Sequence, residues 1–198
     1  CQEPVCVFMG FEGVLWTPDA RRLVVKLRAP GWNPPADGPT DSPSSVRDVW
    51  TSPPEGRSRP KADEGWHSYD ACRGDIAVVD IESSKVLRLG TEMYPFGVEA
   101  SPDGRYVAAM CFGGFLPKPD GNTALFDLHL FALDGSVHRV LAPRVPGRHG
   151  TAFSWSPRGD EVAYTSYQAG SGALFIVGLD GGERMTTDGA DVCLGHDR

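Results

Sequence analysis

Three Ser/Thr-Pro turns alternate with three Asp-Gly-type turns along these 198 residues, and short apolar-alternating runs flank every turn. Twenty-four glycines and 17 prolines add to a turn-rich composition. Together these observations predict an all-β chain rather than a helical one. The repetition predicts the architecture: a partial β-propeller, about three four-stranded antiparallel blades in an open arc.

The first turn unit reads Thr17-Pro18-Asp19-Ala20, then Ser101-Pro102-Asp103-Gly104, then Ser156-Pro157-Arg158-Gly159. Proline presets φ for the turn, and glycine two residues on tolerates positive φ. Ala20 departs from the pattern and weakens the first turn. Each unit joins a short apolar run to an alternating strand, which makes a hairpin.

The second unit spans residues 76–89, 128–141 and 174–187, with two strands around Glu82-Ser83-Ser84, Asp134-Gly135 and Asp180-Gly181. Asp-Gly between alternating runs is a strong hairpin signal. Two hairpins per repeat give four antiparallel strands. The blades are expected at residues 11–90, 94–142 and 149–188, within one domain over 1–198.

Spacing separates the constant parts from the variable one. Pro157 to Asp180 is 23 positions, Pro102 to Asp134 is 32, and Pro18 to Glu82 is 64. The expectation is that strands keep their length and the second-to-third connection absorbs the difference. The long connections, 28–74 and 112–124, then cluster at the end opposite the short turns. The 28–74 insertion is rich in Pro, Ser, Asp and Gly and carries Trp32, Trp50 and Trp66. It reads as a mobile loop pinned by one or two of its tryptophans, as a segment that docks a partner, or as a short extra strand or helix.

A formal net charge of -7 disfavours nucleic acid and anionic membrane as partners. No apolar run approaches the ~20 residues of a spanning helix. The five cysteines, at positions 1, 6, 72, 111 and 193, form no C-x-x-C pair, so neither a zinc site nor a disulfide framework is indicated. The chain begins at Cys1 with no signal-like apolar stretch, which favours a cytoplasmic piece of a longer protein over a lipoprotein.

The sequence predicts no catalytic, cofactor-binding or metal-binding residues. Gly-x-Ser-x-Gly is absent, and Gly170-Ser171-Gly172 reads as a turn between strands. His129 and His138 alternate with apolar residues as strand-face positions, and His149 opens the third blade. His67 and His196 complete the set, with no metal-ligand spacing among the five. Asp63-Glu64 and Asp160-Glu161 read as solvated turns, and Arg21, Arg22, Lys26 and Arg28 as a strand edge.

The units from Trp16, Ser101 and Trp155 resemble the Ser-Pro-Asp-Gly repeats of two propeller groups. One is the N-terminal propeller of prolyl-oligopeptidase-family serine peptidases; the other is the periplasmic propeller of the Tol envelope system. The resemblance covers residues 12–188. Val14 to Asp19, followed by Leu23 to Leu27 and a long polar insertion, looks like early blades of bacterial members of the peptidase family, and Asp75 to Leu89 like the strand pair that follows. That likeness implies a non-catalytic propeller that gates peptide access and packs on a separate C-terminal α/β-hydrolase domain. The implied partners are that domain, the remaining blades and a peptide substrate. The Tol likeness implies a non-enzymatic interaction propeller and a periplasmic location.

Overall fold

The computed structural model describes residues 13–28, 73–116, 123–147, 152–168 and 171–187. Every regular element among them is a strand. β1 (Val14–Trp16), β2 (Arg22–Leu27), β3 (Gly74–Asp80) and β4 (Val86–Met93) form one sheet. β5 (Pro95–Ala100), β6 (Tyr106–Leu116), β7 (Thr123–Ala132) and β8 (His138–Gly147) form a second. β9 (Phe153–Trp155), β10 (Glu161–Gln168), β11 (Ser171–Gly178) and β12 (Glu183–Met185) form a third. Each is antiparallel and open, with its strands in chain order. β1 lies beside β5, and β5 beside β9, so the first strands line one side of the stack. This is the expected fold class: an all-β chain of three four-stranded antiparallel blades in open sheets.

Strand alternation explains the stacking. Successive side chains of a strand point to opposite faces, and β6 is apolar on both. Val107, Ala109 and Cys111 join Val24, Ile76 and Val78 in a core shared with the first blade. Ala108, Met110 and Phe112 join Trp155, Val162 and Val177 in a core shared with the third. Phe131 of β7 is fully buried in the first core, and its neighbour Leu130 almost fully in the second. Burying an aromatic or branched side chain contributes about 1.5–3 kcal/mol each, so a blade flanked on both sides gains twice over.

The turns form from local hydrogen bonds. Ser101 Oγ donates to Asp103 Oδ1 at 2.6 Å and accepts the Tyr106 amide at 2.9 Å. Thr17 and Asp19 repeat the arrangement: the Thr17 hydroxyl donates to Asp19 and accepts the Arg22 amide at 3.1 Å. In the third blade the charges are exchanged, because Arg158 stands where Asp103 does and Asp160 where Arg105 does. Ser156 Oγ then donates to Asp160 at 2.7 Å, and Arg158 Nε pairs with the same carboxylate at 2.9 Å. Ala20, Gly104 and Gly159 all hold positive φ, at 55°, 68° and 72°. Of these three turn residues, only Ala20 carries a Cβ into that region.

The two turns of a blade meet at one end. Leu133 N donates to Arg105 O in the second blade, and Ile81 N to Arg21 O in the first.

One expectation needs correction. Residues 112–116 are strand, not connection: β6 runs to Leu116 and β7 starts at Thr123. Of the nine extra positions in the second blade relative to the third, five lengthen β6 and β7 and four lie between them. Gly113 and Gly114 disguise this, since they sit at a bulge where the register slips between Phe112 and Gly114. In the first blade the second turn falls around Glu82-Ser83-Ser84 as expected, between β3 and β4, and Asp80 holds it. Asp80 Oδ1 accepts both the amide and the hydroxyl of Ser83, at 2.8 and 2.6 Å. Asp134 performs that role in the second blade, towards Ser136.

Candidate functional site

Among the described residues, a group of chemically capable side chains lies on the face of the second blade turned to the first. It comprises Cys111 on β6, Asp127 and His129 on β7, and His138 on β8. Cys111 and Asp127 are register partners, and His129 pairs with Ala109 across the same ladder. His129 Nδ1 and His138 Nε2 are 3.0 Å apart. Both imidazoles stack on Phe131, with centroids 6.0 and 4.4 Å away.

Nucleophilic chemistry needs a thiolate or an activated hydroxyl. Burial, and secondarily the charge of Asp127, push the Cys111 thiol well above its ordinary range, so it stays protonated. Burial, then the neighbouring His138, push His129 down to about 4, against a smaller opposing pull from Asp127. A neutral imidazole hydrogen-bonded to a second imidazole is a packing element at neutral pH. The corresponding site of the third blade holds Phe175, stacked on Tyr164 with centroids 5.4 Å apart. Ser166, the counterpart of Cys111 there, is buried, and its hydroxyl has no hydrogen-bond partner among the described residues.

Asp127 has a different task. Its Oδ1 accepts the amide of Arg144 at 2.7 Å, where β8 bulges and Arg144 holds a φ of 53°. Asp75, at the matching position of β3, accepts the amide of Glu92 at 2.8 Å, and Glu92 holds a φ of 54°. Asp75 is completely buried and also pairs with the Arg88 guanidinium. Sequence reasoning missed this third-strand aspartate. Its trace is an aspartate five residues before the end of a predicted third strand, in two of the three repeats.

The remaining candidates divide in two. Asp160 and Glu161 serve structure: Asp160 holds its turn, and Glu161 receives Arg184 at 2.5 and 3.1 Å. His129 and His138 occupy strand faces as expected. His67, His149, His196, Asp63, Glu64, Gly170, the cysteines other than Cys111, and Trp32, Trp50 and Trp66 lie outside the described residues. Among the described residues, no group of three His, Cys, Asp or Glu side chains could hold a metal ion, and no helix is long and apolar enough to cross a membrane.

No protein-family model matches the chain, and no curated protein matches it in sequence. Among solved structures it is similar to TolB from Acinetobacter baumannii, at 17% identity and a TM-score of 0.49, over 89% of this chain and 32% of that one. It is also similar to a variant of the AtxE2 isopeptidase with Astexin3-dC4 bound, at 24% identity and a TM-score of 0.38, over 50% of this chain and 18% of that one. The chain spans about a third of the first structure and less than a fifth of the second.

Proposed function

We propose that this chain is the non-catalytic propeller portion of a larger serine peptidase of the prolyl-oligopeptidase type. In that role it packs on an α/β-hydrolase domain and limits which peptides reach the catalytic serine. The observation that carries the scaffold part of the reading is how the acidic groups are used. Asp19, Asp75, Asp80, Asp103, Asp127, Asp134 and Asp160 each hold a turn or a bulge. The preference for a peptidase rests on the sequence of the first blade and its long insertion.

A second reading is an interaction propeller of the Tol type, without a hydrolase domain. The placement of the variable connections favours it: β2 to β3 and β6 to β7 both close at the end away from the two constrained turns, which suits a variable partner-binding surface.

A serine-directed fluorophosphonate probe separates the two. The peptidase reading expects covalent labelling of the full-length polypeptide, at a serine outside residues 1–198. It also expects faster cleavage of large peptides once the propeller is deleted. An unlabelled full-length protein that instead captures an envelope protein through the 28–74 side sinks the peptidase reading and favours the second.

A further inference from the structure

Each blade turns the same few positions towards the blade before it. Immediately before the Ser/Thr-Pro turn stand Trp16 and, in the third blade, Trp155; three places before it stand Val14, Val98 and Phe153. One residue beyond the third strand stand Ile81, Leu133 and Leu179. In the second and third blades these positions are buried or half-buried: Val98 is 5% exposed, Leu133 3% and Trp155 9%, and Ala100, Phe153 and Leu179 are half-buried. Phe153 and Leu179 pack against the same core as Trp155. Their counterparts in the first blade lie open, with Val14 61%, Trp16 60% and Ile81 44% exposed. Leu15, between Val14 and Trp16, packs into the core shared with the second blade, so its two neighbours point away from that core.

The third blade shows how such a face is filled. Trp155 lies in the crevice with the second blade and donates its indole N–H to Glu99 O of β5 at 3.2 Å. Indole nitrogen is a donor only, and a buried one needs an acceptor. The turns stack as well. A Cβ placed on Gly104 would lie 3.5 Å from Pro18 Cδ, and one on Gly159 would lie 3.5 Å from Asp103 Cγ. These are ordinary contact distances, so Ala20 leaves room for the proline turn of an incoming blade.

We infer that the Val14–Trp16–Ile81 face is a docking face for a further four-stranded blade of the same repeat, carried by the parent polypeptide, whose innermost strand offers a backbone carbonyl to the Trp16 indole. This rests on the reading of the chain as a propeller portion and adds which surface is joined and by what contact. The occupant follows from continuity with the two interfaces already built: the same positions, at the same offsets, are covered by a blade each time a blade is there.

Hydroxyl-radical footprinting read by mass spectrometry tests it, on the 198-residue chain and on the full-length polypeptide, with molar mass followed by light scattering. The expected result is a severalfold fall in Trp16 labelling in the monomeric full-length protein, to the level of Trp155, with Val14 and Ile81 falling alongside. Trp16→Ala should lower the Tm of the full-length protein and leave that of the 198-residue chain unchanged. Equal labelling of Trp16 in both proteins, where the longer one carries further Ser/Thr-Pro repeats, overturns the inference. Protection that arises only with a concentration-dependent dimer also overturns it and assigns the face to a second copy. A full-length sequence without further repeats removes the propeller-portion reading itself, a failure visible before any labelling.

Discussion

The Asp127 carboxylate accepts the backbone N–H of Arg144 at 2.7 Å, at the point where β8 takes a positive φ. The same pairing joins Asp75 to Glu92 one blade earlier. An L-residue in the left-handed region is disfavoured unless something holds it there. A charged acceptor on the adjacent strand provides that hold. Asp127→Ala should therefore destabilise the fold by about 1.5–3 kcal/mol, the range for a hydrogen bond to a charged group. Asp127→Asn keeps an acceptor and should lose much less. Urea unfolding of both variants checks this, and equal losses would contradict it.

Ala20 occupies a left-handed position that glycine fills in the other two blades. Ala20→Gly should raise stability by roughly 0.5–1 kcal/mol, since removing the Cβ relieves more strain than the added unfolded-state freedom costs. Calorimetry should show a higher Tm. Gly104→Ala, the reverse change one blade on, should lower it.

Arg158 and Asp160 carry the Asp103–Arg105 ion pair with its ends exchanged. Arg158→Asp alone leaves two carboxylates side by side and should lower Tm. Adding Asp160→Arg recreates the order of the second blade and should restore most of the loss. The difference should shrink in high salt, because these groups are exposed and screened.

His129 is held neutral, down to about 4 from an ordinary 6.5, first by burial and then by His138. In the unfolded chain it takes up a proton near pH 6.5, which the folded chain refuses until about pH 4. Stability from this group is thus complete above pH 6.5 and falls as pH drops towards 4. Asp19 acts in a lower window: the Thr17 hydroxyl first, then the Arg21 amide, hold it at about 2 against an ordinary 3.8. Its contribution is lost between those two values. The third blade already carries an uncharged ring, Phe175, at the position equivalent to His129. His129→Phe should therefore flatten the stability profile between pH 6.5 and 4 and leave the lower fall intact. A wild-type slope surviving in His129→Phe would assign the upper loss to another group.

What the sequence made legible was local. Pro18, Pro102 and Pro157 and the Asp-Gly pairs act within four or five residues, so the turns, the hairpins and the blade count could be read from the chain. The Asp127–Arg144 and Asp75–Glu92 contacts span 17 residues and depend on strand register, which neither composition nor alternation specifies. Gly113 and Gly114 read as loop because glycine serves a turn and a β-bulge equally well. The histidines were legible as strand-face residues. Their hydrogen bond, which requires the register that sets His138 opposite Phe131 and so diagonal to His129, was not.

Successive four-stranded sheets pack face to face rather than edge to edge. The indole proton of Trp155 reports on this directly, since it reaches Glu99 in another sheet. Nuclear Overhauser spectroscopy should show cross-peaks from that proton to the backbone protons of Glu99 and Ala100, with slow solvent exchange. Cross-peaks confined to β10 and the other strands of its own blade would contradict the stacked arrangement.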